Sequence, residues 1–456
     1  MTGSLLLNQP LQRWLAGAPA IKLFAGLLLL FALLLVLANA LVVNFPAWMA
    51  GVPLWVATLL LAPQVKVAQR KQIGVLLLVG AAGLVFAGWS GSGGRYLLKA
   101  VEGNQMLLAM LIGVSFLRLV ALAGITASEQ LPRGQRALQQ TLLSTHLFAS
   151  VLNISAALIV GDRLRHARNN QPLQPEQGMV LLRAFSTCAF WSPFFAAMGL
   201  TLLSAPGSQL ATLVLFGLPL ALAALLFSAW EISRNPEAEN ALGYPLQWSS
   251  LWMPLVLAVL VIISHLIWSE LAVLTLVTLI AMVFSFIWLA LTRGIKGLND
   301  VGQHITVGLP GLCSEIALFL GAAVLAAGVS ATMNTLDISV APEHFGALEA
   351  CVTLVILIVV AVAGMHPVTS VVLAGSLLAT SVTDPNLLGL TLLMGWAVGV
   401  GLSPLSGIQL TLQARFGMSA RAMMWANRYY ALLIVPLCCA TLYGYEWVMG
   451  AVIHVM

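Results

Sequence analysis

Long runs of apolar residues, separated by short polar segments, dominate the chain. A bilayer core about 30 Å thick is spanned by roughly 20 helical residues, each of which rises about 1.5 Å. By that measure eleven runs can cross a membrane, at approximately 21–44, 47–63, 73–91, 104–125, 178–204, 209–230, 250–268, 271–292, 310–330, 387–412 and 428–450. The pattern therefore predicts an all-α polytopic membrane protein with about 11 transmembrane helices.

Two further apolar stretches are interrupted by polar or helix-breaking residues. The first, 134–160, is predicted to break around 144–146, and the second, 347–380, at 364–367. Lys and Arg are retained in cytoplasmic loops. If each stretch is a re-entrant helical hairpin that returns to the side it came from, sixteen Lys and Arg share the side of the N-terminus, and only two face the other side, Arg95 and Lys99. We therefore expect two hairpins, a cytoplasmic N-terminus and a periplasmic C-terminus.

Composition narrows the class of protein further. Hydrophobic residues make up 60% of the 456 residues and charged residues 8%, whereas an ordinary soluble domain is about a quarter charged. This excludes a soluble globular enzyme, and a net charge of +5 spread over so long a chain argues against nucleic acid as a partner. The five cysteines form no CxxC pair, which indicates neither a disulfide framework nor a metal site. The small-residue AGAPA segment precedes the first apolar run, so we expect a retained span in the bacterial inner membrane and no cleaved signal peptide.

Three short sequence matches, in the same order, indicate an internal repeat. LAGI at 122–125 matches AAGV at 326–329, and the HxxxS segment that starts at His146 matches the one at His366. WSPF at 191–194 matches LSPL at 402–405, and the three offsets are 204, 220 and 211 residues. The loops beside the first HxxxS segment are basic, whereas those beside the second are acidic, so equivalent elements face opposite sides. This is typical of an inverted-topology repeat.

The repeat divides the chain into four parts. Residues 1–46 form an N-terminal segment with the first span, and 47–230 form the first repeat. A cytoplasmic linker follows at 231–249, and the second repeat occupies 250–450. Each repeat thus contains one hairpin and one span broken at a Ser-Pro pair, namely 178–204 or 387–412.

Proline lacks an N–H group and clashes with the carbonyl four residues before it, so each Ser-Pro pair is expected to open its span. Unwound backbone at that depth is tolerated only where it is buried or lines a wet cavity. Hydroxyl, amide and imidazole groups surround the expected breaks, and no carboxylate lies deep in either half. The candidate substrate-binding and ion-binding residues are Ser144, Thr145, His146, Ser150, Asn153, Ser192 and Pro193 in the first half and Gly364, His366, Thr369, Ser370, Ser403, Pro404, Ser406 and Gln409 in the second. Arg118, inside a span, is a candidate anion contact.

Other interpretations of these residues are open. The histidines could bond neighbouring helices, the prolines could be ordinary kinks, and Arg118 could pair with a carbonyl. Ser150 and Ser370 each lie one helical turn from a histidine, like a nucleophile and its base. The pair is duplicated, however, and the sequence has neither an HExxH motif nor two acids at one depth. We therefore expect no enzyme, no catalytic residue and no metal site.

Eleven spans, two hairpins, inverted repeats and small polar motifs at the breaks resemble the ion transporter superfamily of secondary carriers. That group includes the divalent anion:sodium symporters, the arsenite and NhaD-type carriers, and the membrane subunits of TRAP uptake systems. The resemblance covers about residues 47–450. It implies a scaffold formed by the early spans of each half, a transport domain formed by the hairpins and the spans that follow them, a homodimer, and an elevator-like movement.

These observations lead to an expected function and two alternatives. We expect an ion-coupled secondary transporter that moves a small anionic solute by elevator-type alternating access, with Na⁺ or H⁺ as the coupling ion and no cofactor. Its partners would be the lipid bilayer, the solute and a second copy of the chain. The alternatives are a TRAP-like membrane subunit served by a separate solute-binding protein, and an exporter or carrier of a phosphate-bearing or oxyanion substrate.

Overall fold

The computed structural model describes residues 19–42, 44–91, 93–123, 131–246, 252–338, 340, 342–379 and 381–455. Within these ranges the chain is helical and contains no β-strand. Parts of several predicted elements lie outside the described residues: 1–18 of the N-terminal segment, 124–125 of the first repeat match, 247–249 of the linker, 250–251 of one span and 380 of the second hairpin.

The helices, in chain order, are α1 (Pro19–Leu41), α2 (Trp48–Leu61), α3 (Val67–Trp89), α4 (Gly93–Glu102), α5 (Gln105–Ser115), α6 (Leu117–Ala123), α7 (Gln135–Leu152), α8 (Ile154–His166), α9 (Pro175–Cys188), α10 (Ala196–Ser204), α11 (Leu210–Ser233), α12 (Trp252–Ile267), α13 (Val273–Arg293), α14 (Ile295–Gln303), α15 (Cys313–Leu336), α16 (Ala347–Val362), α17 (Pro367–Leu378), α18 (Pro385–Leu402), α19 (Gly407–Phe416), α20 (Ala420–Ala426) and α21 (Arg428–Val455).

The predicted fold class, an all-α polytopic membrane protein, is confirmed by the helices and by their apolar length. Among the described residues, eight helical segments are long and apolar enough to cross a membrane: Pro19–Leu41, Gln69–Trp89, Gly94–Ala121, Leu210–Ser233, Val273–Arg293, Ile295–Leu336, Pro385–Phe416 and Arg428–Met449. Each coincides with one of the eleven predicted spans. Of the other three, 47–63 and 250–268 are shorter apolar helices, and 178–204 consists of α9 and α10.

The chain divides into two compact units, and each draws on both halves of the sequence. One unit consists of Met1–Ala123 and Ile263–Ile338, the other of Gly124–Ile262 and Ser339–Met456. We call them the first and the second unit. In the first unit α3 packs along α15, and glycines allow their backbones to touch. A Cβ atom at Gly328 would lie 2.1 Å from the carbonyl oxygen of Gly80, so a larger residue would force the helices apart.

The second unit contains two similar series of elements. The first series is the α7–α8 pair, the interrupted α9–α10 helix and the long α11, and the second is α16–α17, α18–α19 and α21. Within the second series, Asp384 caps the start of α18 and accepts a hydrogen bond from the Tyr445 hydroxyl of α21, at 2.9 Å for Oδ2.

The α7–α8 pair returns to the segment from which it started. At its beginning, the Gly134 N–H donates to the Ala241 carbonyl at 2.9 Å. After its end, Gln177 Nε2 donates to the neighbouring Leu242 carbonyl at 2.8 Å. The chain therefore leaves and comes back within one pair of helices, as a hairpin does.

The break in this pair is not where the sequence pattern predicted it. Ser144, Thr145 and His146 lie inside α7, and the helix ends only before Asn153, which has a φ of 52°. A positive φ is uncommon for residues other than glycine, so the contacts of the Asn153 side chain must hold this backbone conformation. The expected break around 144–146 is wrong, because partners outside α7 satisfy Ser144 and His146 while the backbone stays helical.

The break in the second pair is confirmed. The α16 helix ends at Val362, Gly364 has a φ of 105°, and Pro367 occupies the first turn of α17. Glycine allows that backbone angle, and proline at a helix start loses no hydrogen bond.

Candidate functional site

The first Ser-Pro pair interrupts a helix, as predicted. The α9 helix ends at Cys188, and α10 begins only at Ala196. In the loop between them, the Ser192 hydroxyl donates to the Ser150 carbonyl of α7 and accepts the Phe194 N–H at 3.2 Å. The loop around Pro193 is therefore attached to the last turn of α7.

Asn153 makes a second attachment to the same loop. Its Nδ2 donates to the Phe194 carbonyl at 2.9 Å, and its Oδ1 accepts the Ala196 N–H at 3.3 Å. A side-chain amide provides both a donor and an acceptor, so it satisfies both backbone groups at once. The junction between the first hairpin and the first break, which we call the first junction, consists of Ser150, Asn153 and 192–196.

The second Ser-Pro pair forms the same turn, 211 residues later in the sequence. The Ser403 hydroxyl donates to the Met365 carbonyl at 3.0 Å and accepts the Leu405 N–H at 3.3 Å. Ser406 then caps α19 by accepting the Gln409 N–H at 3.4 Å. The second junction consists of 364–366 and 403–407, including Pro404.

His366 is the counterpart of Asn153 at this junction, but it is less well matched to its partners. The Val368 N–H points at Nδ1, at 3.1 Å, and the Gly407 N–H points at Nε2, at 3.2 Å. A neutral imidazole has one lone pair for hydrogen bonding, because its other ring nitrogen carries a proton. One of the two backbone N–H groups is therefore left without an acceptor from this ring.

The predicted match of His146 with His366 is wrong. The residues that bond to the first N–H of the following half-helix are Asn153, to Ala196, and His366, to Gly407. His146 instead lies within α7, with Nδ1 2.9 Å from Thr187 Oγ1 and Nε2 accepting from Trp191 Nε1 at 3.2 Å. Both ring nitrogens are used, so His146 is a hydrogen-bonded core residue.

The other predicted site residues differ in whether their side chains have hydrogen-bond partners. The Ser144 hydroxyl donates to the Pro245 carbonyl at 3.2 Å, and the Ser370 hydroxyl to the Pro367 carbonyl at 3.1 Å. Three buried oxygens among the candidate residues have no hydrogen-bond partner in the part of the chain that the structure describes: Thr145 Oγ1, Thr369 Oγ1 and Gln409 Oε1. Two of these three are on the half-helices of the second junction.

The two junctions are parts of one helical assembly within the second unit. The α9 helix packs against α18 and α19, and α10 packs against α17 and α18. Near the ends of α9 and α18, a Cβ atom at Gly401 would lie 3.9 Å from Ser186 Oγ. The halves of the sequence thus contribute interrupted helices that lie side by side.

Arg118 belongs to a different unit from the other fifteen candidate residues. It lies on α6 in the first unit with an exposed side chain, whereas the remainder belong to the second unit.

The sequence patterns missed Asn427 and Arg183. Asn427 is fully buried, its Nδ2 donates to the Gly401 carbonyl at 2.9 Å, and its Oδ1 accepts from Arg183 Nε at 2.8 Å. Arg183 also pairs with Glu231 and lies over the Tyr430 ring, 4.9 Å from its centre. These residues join the end of α18 to α9 and α11. No local signal could reveal the contact between Arg183 and Asn427, because they are 244 residues apart.

The two junctions bring together the ends and the starts of eight helices. Four helices end there, α7, α9, α16 and α18, and four begin there, α8, α10, α17 and α19. Helix starts carry partial positive charge and helix ends partial negative charge.

No protein-family model matches this chain, and no curated protein matches it at a significant level.

Proposed function

We propose that the protein is an ion-coupled secondary transporter that binds a small anionic solute at the two junctions of the second unit. The observation that carries this proposal is the pair of interrupted helices. Each has a Ser-Pro turn whose hydroxyl donates to a carbonyl of an adjoining helix pair. Unwound backbone at membrane depth is typical of the binding sites of secondary transporters, which are formed by two repeats.

The same geometry supports an inverted repeat with two re-entrant hairpins among about eleven spans. The turn at Ser192 and the turn at Ser403 correspond in detail, and the charges of their flanking loops have opposite sidedness. The proposed topology has a cytoplasmic N-terminus and a periplasmic C-terminus in a bacterial inner membrane.

An anion is favoured as the solute because helix starts converge at the junctions. Backbone N–H groups at such ends bind anions, and charged side chains are not required. At the second junction, the N–H groups of Val368 and Gly407 compete for a single lone pair of His366. We propose that the N–H group left over is a contact for the solute.

Sodium is favoured over protons as the coupling ion. Protonation of His366 would place a ring N–H against each of two backbone N–H groups, which repel it. Oxygen atoms suited to Na⁺, by contrast, are present as carbonyls at the helix ends and as the unpartnered Thr369 Oγ1 and Gln409 Oε1.

The division of the chain supports an elevator-type mechanism within a homodimer. Most early spans of both halves belong to the first unit, whereas the greater part of the span 250–268, the hairpins and the interrupted helices belong to the second. Apart from the span 250–268, this partition agrees with the scaffold and transport domain that the resemblance to the ion transporter superfamily implies. In this proposal the second unit carries the solute.

The test is the thermal stability of the purified protein with a panel of carboxylates, phosphate and sulfate, with and without Na⁺ at fixed ionic strength. A ligand of the folded state adds about 2.7 kcal/mol of stability at a hundred times its Kd. We expect one solute to stabilise the protein only when Na⁺ is present, and that solute is then used in uptake assays with proteoliposomes.

Variants distinguish this site from others. We expect His366→Ala and Ser403→Ala to lose both the stabilisation and the uptake while remaining folded. Ser376→Ala is the matched control, because this α17 hydroxyl donates only to the Val372 carbonyl of its own helix. Normal uptake by both site variants would refute the assignment. A panel without any effect would instead favour the alternative of a membrane subunit that receives solute from a separate binding protein.

A further inference from the structure

We propose that a cavity in the second unit, away from the two junctions, binds a small organic cation with an apolar body. The cavity has a volume of about 330 Å³ and lies among α7, α9, the end of α11 and the segment 417–426. Sites of this size, with apolar walls and few polar groups, are typical of small-molecule binding.

The walls of the cavity are apolar and adaptable. Leu142 and Val180 belong to a buried hydrophobic cluster at its base. Met179, Met418 and Met423 also line it. Methionine side chains are flexible and polarisable, so they fit ligands of different shapes. These walls suit a ring or a short alkyl chain.

The charged groups of the lining favour a positively charged ligand. They are Arg183, Glu176 and Glu231, which together carry an excess of one negative charge. The guanidinium of Arg183 is buried and already engaged by Glu231, Asn427 and the Tyr430 ring. An anion would have to displace Glu231, whereas a cation would meet Glu176, whose side chain neighbours a second carboxyl group, that of Glu237.

Glu176 is the group best placed to recognise the cation. It is half-buried at the start of α9, before the predicted span. Burial, and then the neighbouring Glu237 carboxylate, raise the pKa of Glu176 above its usual range. A bound ammonium group would relieve both effects, since it replaces lost solvation and separates two like charges.

The experiment compares three probes of similar size, phenethylammonium, 2-phenylethanol and phenylacetate, by calorimetric titration of the purified full-length protein at pH 7.5. We expect phenethylammonium to bind at least ten times more tightly than either of the others. Glu176→Gln should weaken its binding about tenfold. Glu239→Gln is the matched control, because this exposed carboxylate belongs to the same acidic region but not to the cavity lining, and its affinity should be unchanged.

A second variant tests the location. Ala422→Phe, at an exposed residue of the lining, adds a ring to the cavity without a change of charge, and should abolish binding. If that variant does not fold, the loss of phenethylammonium affinity in Glu176→Gln is the test of the binding location. Tighter binding of phenylacetate would overturn the proposal in favour of an anion at Arg183, and equal binding of all three probes would reduce the cavity to an apolar pocket. Because the cavity and the junctions have no lining residue in common, this result is independent of the transport assays.

Discussion

The two junctions have the same serine turn but different residues at the hairpin break. At the first, Asn153 donates to the Phe194 carbonyl and accepts the Ala196 N–H, so both groups are satisfied. At the second, His366 faces two N–H groups with one lone pair. The comparison shows that the first junction satisfies both of its backbone groups, whereas the second leaves one N–H group without an acceptor from His366, the group that we propose contacts the solute.

The largest expected effect comes from removal of the two break residues. Asn153→Leu deletes two hydrogen bonds and should lower the free energy of unfolding by about 2–3 kcal/mol, whereas His366→Leu deletes one and should cost about 1 kcal/mol. Equilibrium unfolding in mixed micelles measures both values. His366→Asn is the control, since an amide can accept one N–H without a competing ring proton. Equal losses for the two leucine variants would contradict the distinction between the junctions.

A smaller effect is expected from the serine turns. Ser192→Ala and Ser403→Ala each lose one hydroxyl that donates to a carbonyl and accepts a backbone N–H. We expect each to cost about 1–2 kcal/mol of unfolding free energy, with nearly the same value for both. Equilibrium unfolding in mixed micelles measures the unfolding free energy of both variants. A difference above about 1 kcal/mol would mean that the two turns, despite their matching contacts, are not energetically equivalent.

The smallest expected effect is a change in amide hydrogen exchange that is confined to the second junction. Asn427→Ala removes a donor to the Gly401 carbonyl, which then keeps the Gln409 amide, and it also removes the acceptor of Arg183 Nε. We expect amide hydrogen exchange at 403–407 to become about five times faster, as a loss of about 1 kcal/mol implies. Exchange at 189–196 is the internal control and should not change. Faster exchange at both junctions would indicate general loosening of the unit.

Local rules predicted the breaks that depend on a single residue type. Pro193, Pro404 and the Gly364–Pro367 segment interrupt helices, as the missing N–H of proline and the conformational freedom of glycine favour. Pro53, Pro219 and Pro436, however, lie within continuous helices, so proline alone does not decide where a helix breaks. The membrane-spanning helices could also be predicted from the sequence, since bilayer thickness sets the length of an apolar run that can cross.

Tertiary contacts determined what the sequence patterns missed. The break at Asn153 is fixed by bonds to residues 41 and 43 positions away, and the polar residues 144–146 stay helical because partners outside α7 satisfy Ser144 and His146. The role of Asn427 depends on Arg183, which is still more distant in sequence. Such pairs have no periodicity, so one sequence alone cannot reveal them.

The glycine contact between α3 and α15 has a consequence for biogenesis. The two helices come from opposite halves of the chain, and the α7–α11 helices of the second unit are synthesised between them. The ribosome therefore releases most of the chain before the first unit can close its core at Leu336, and the second unit waits for α21. Neither half of the polypeptide contains a complete unit, so each unit can finish folding only after part of the second half has been synthesised.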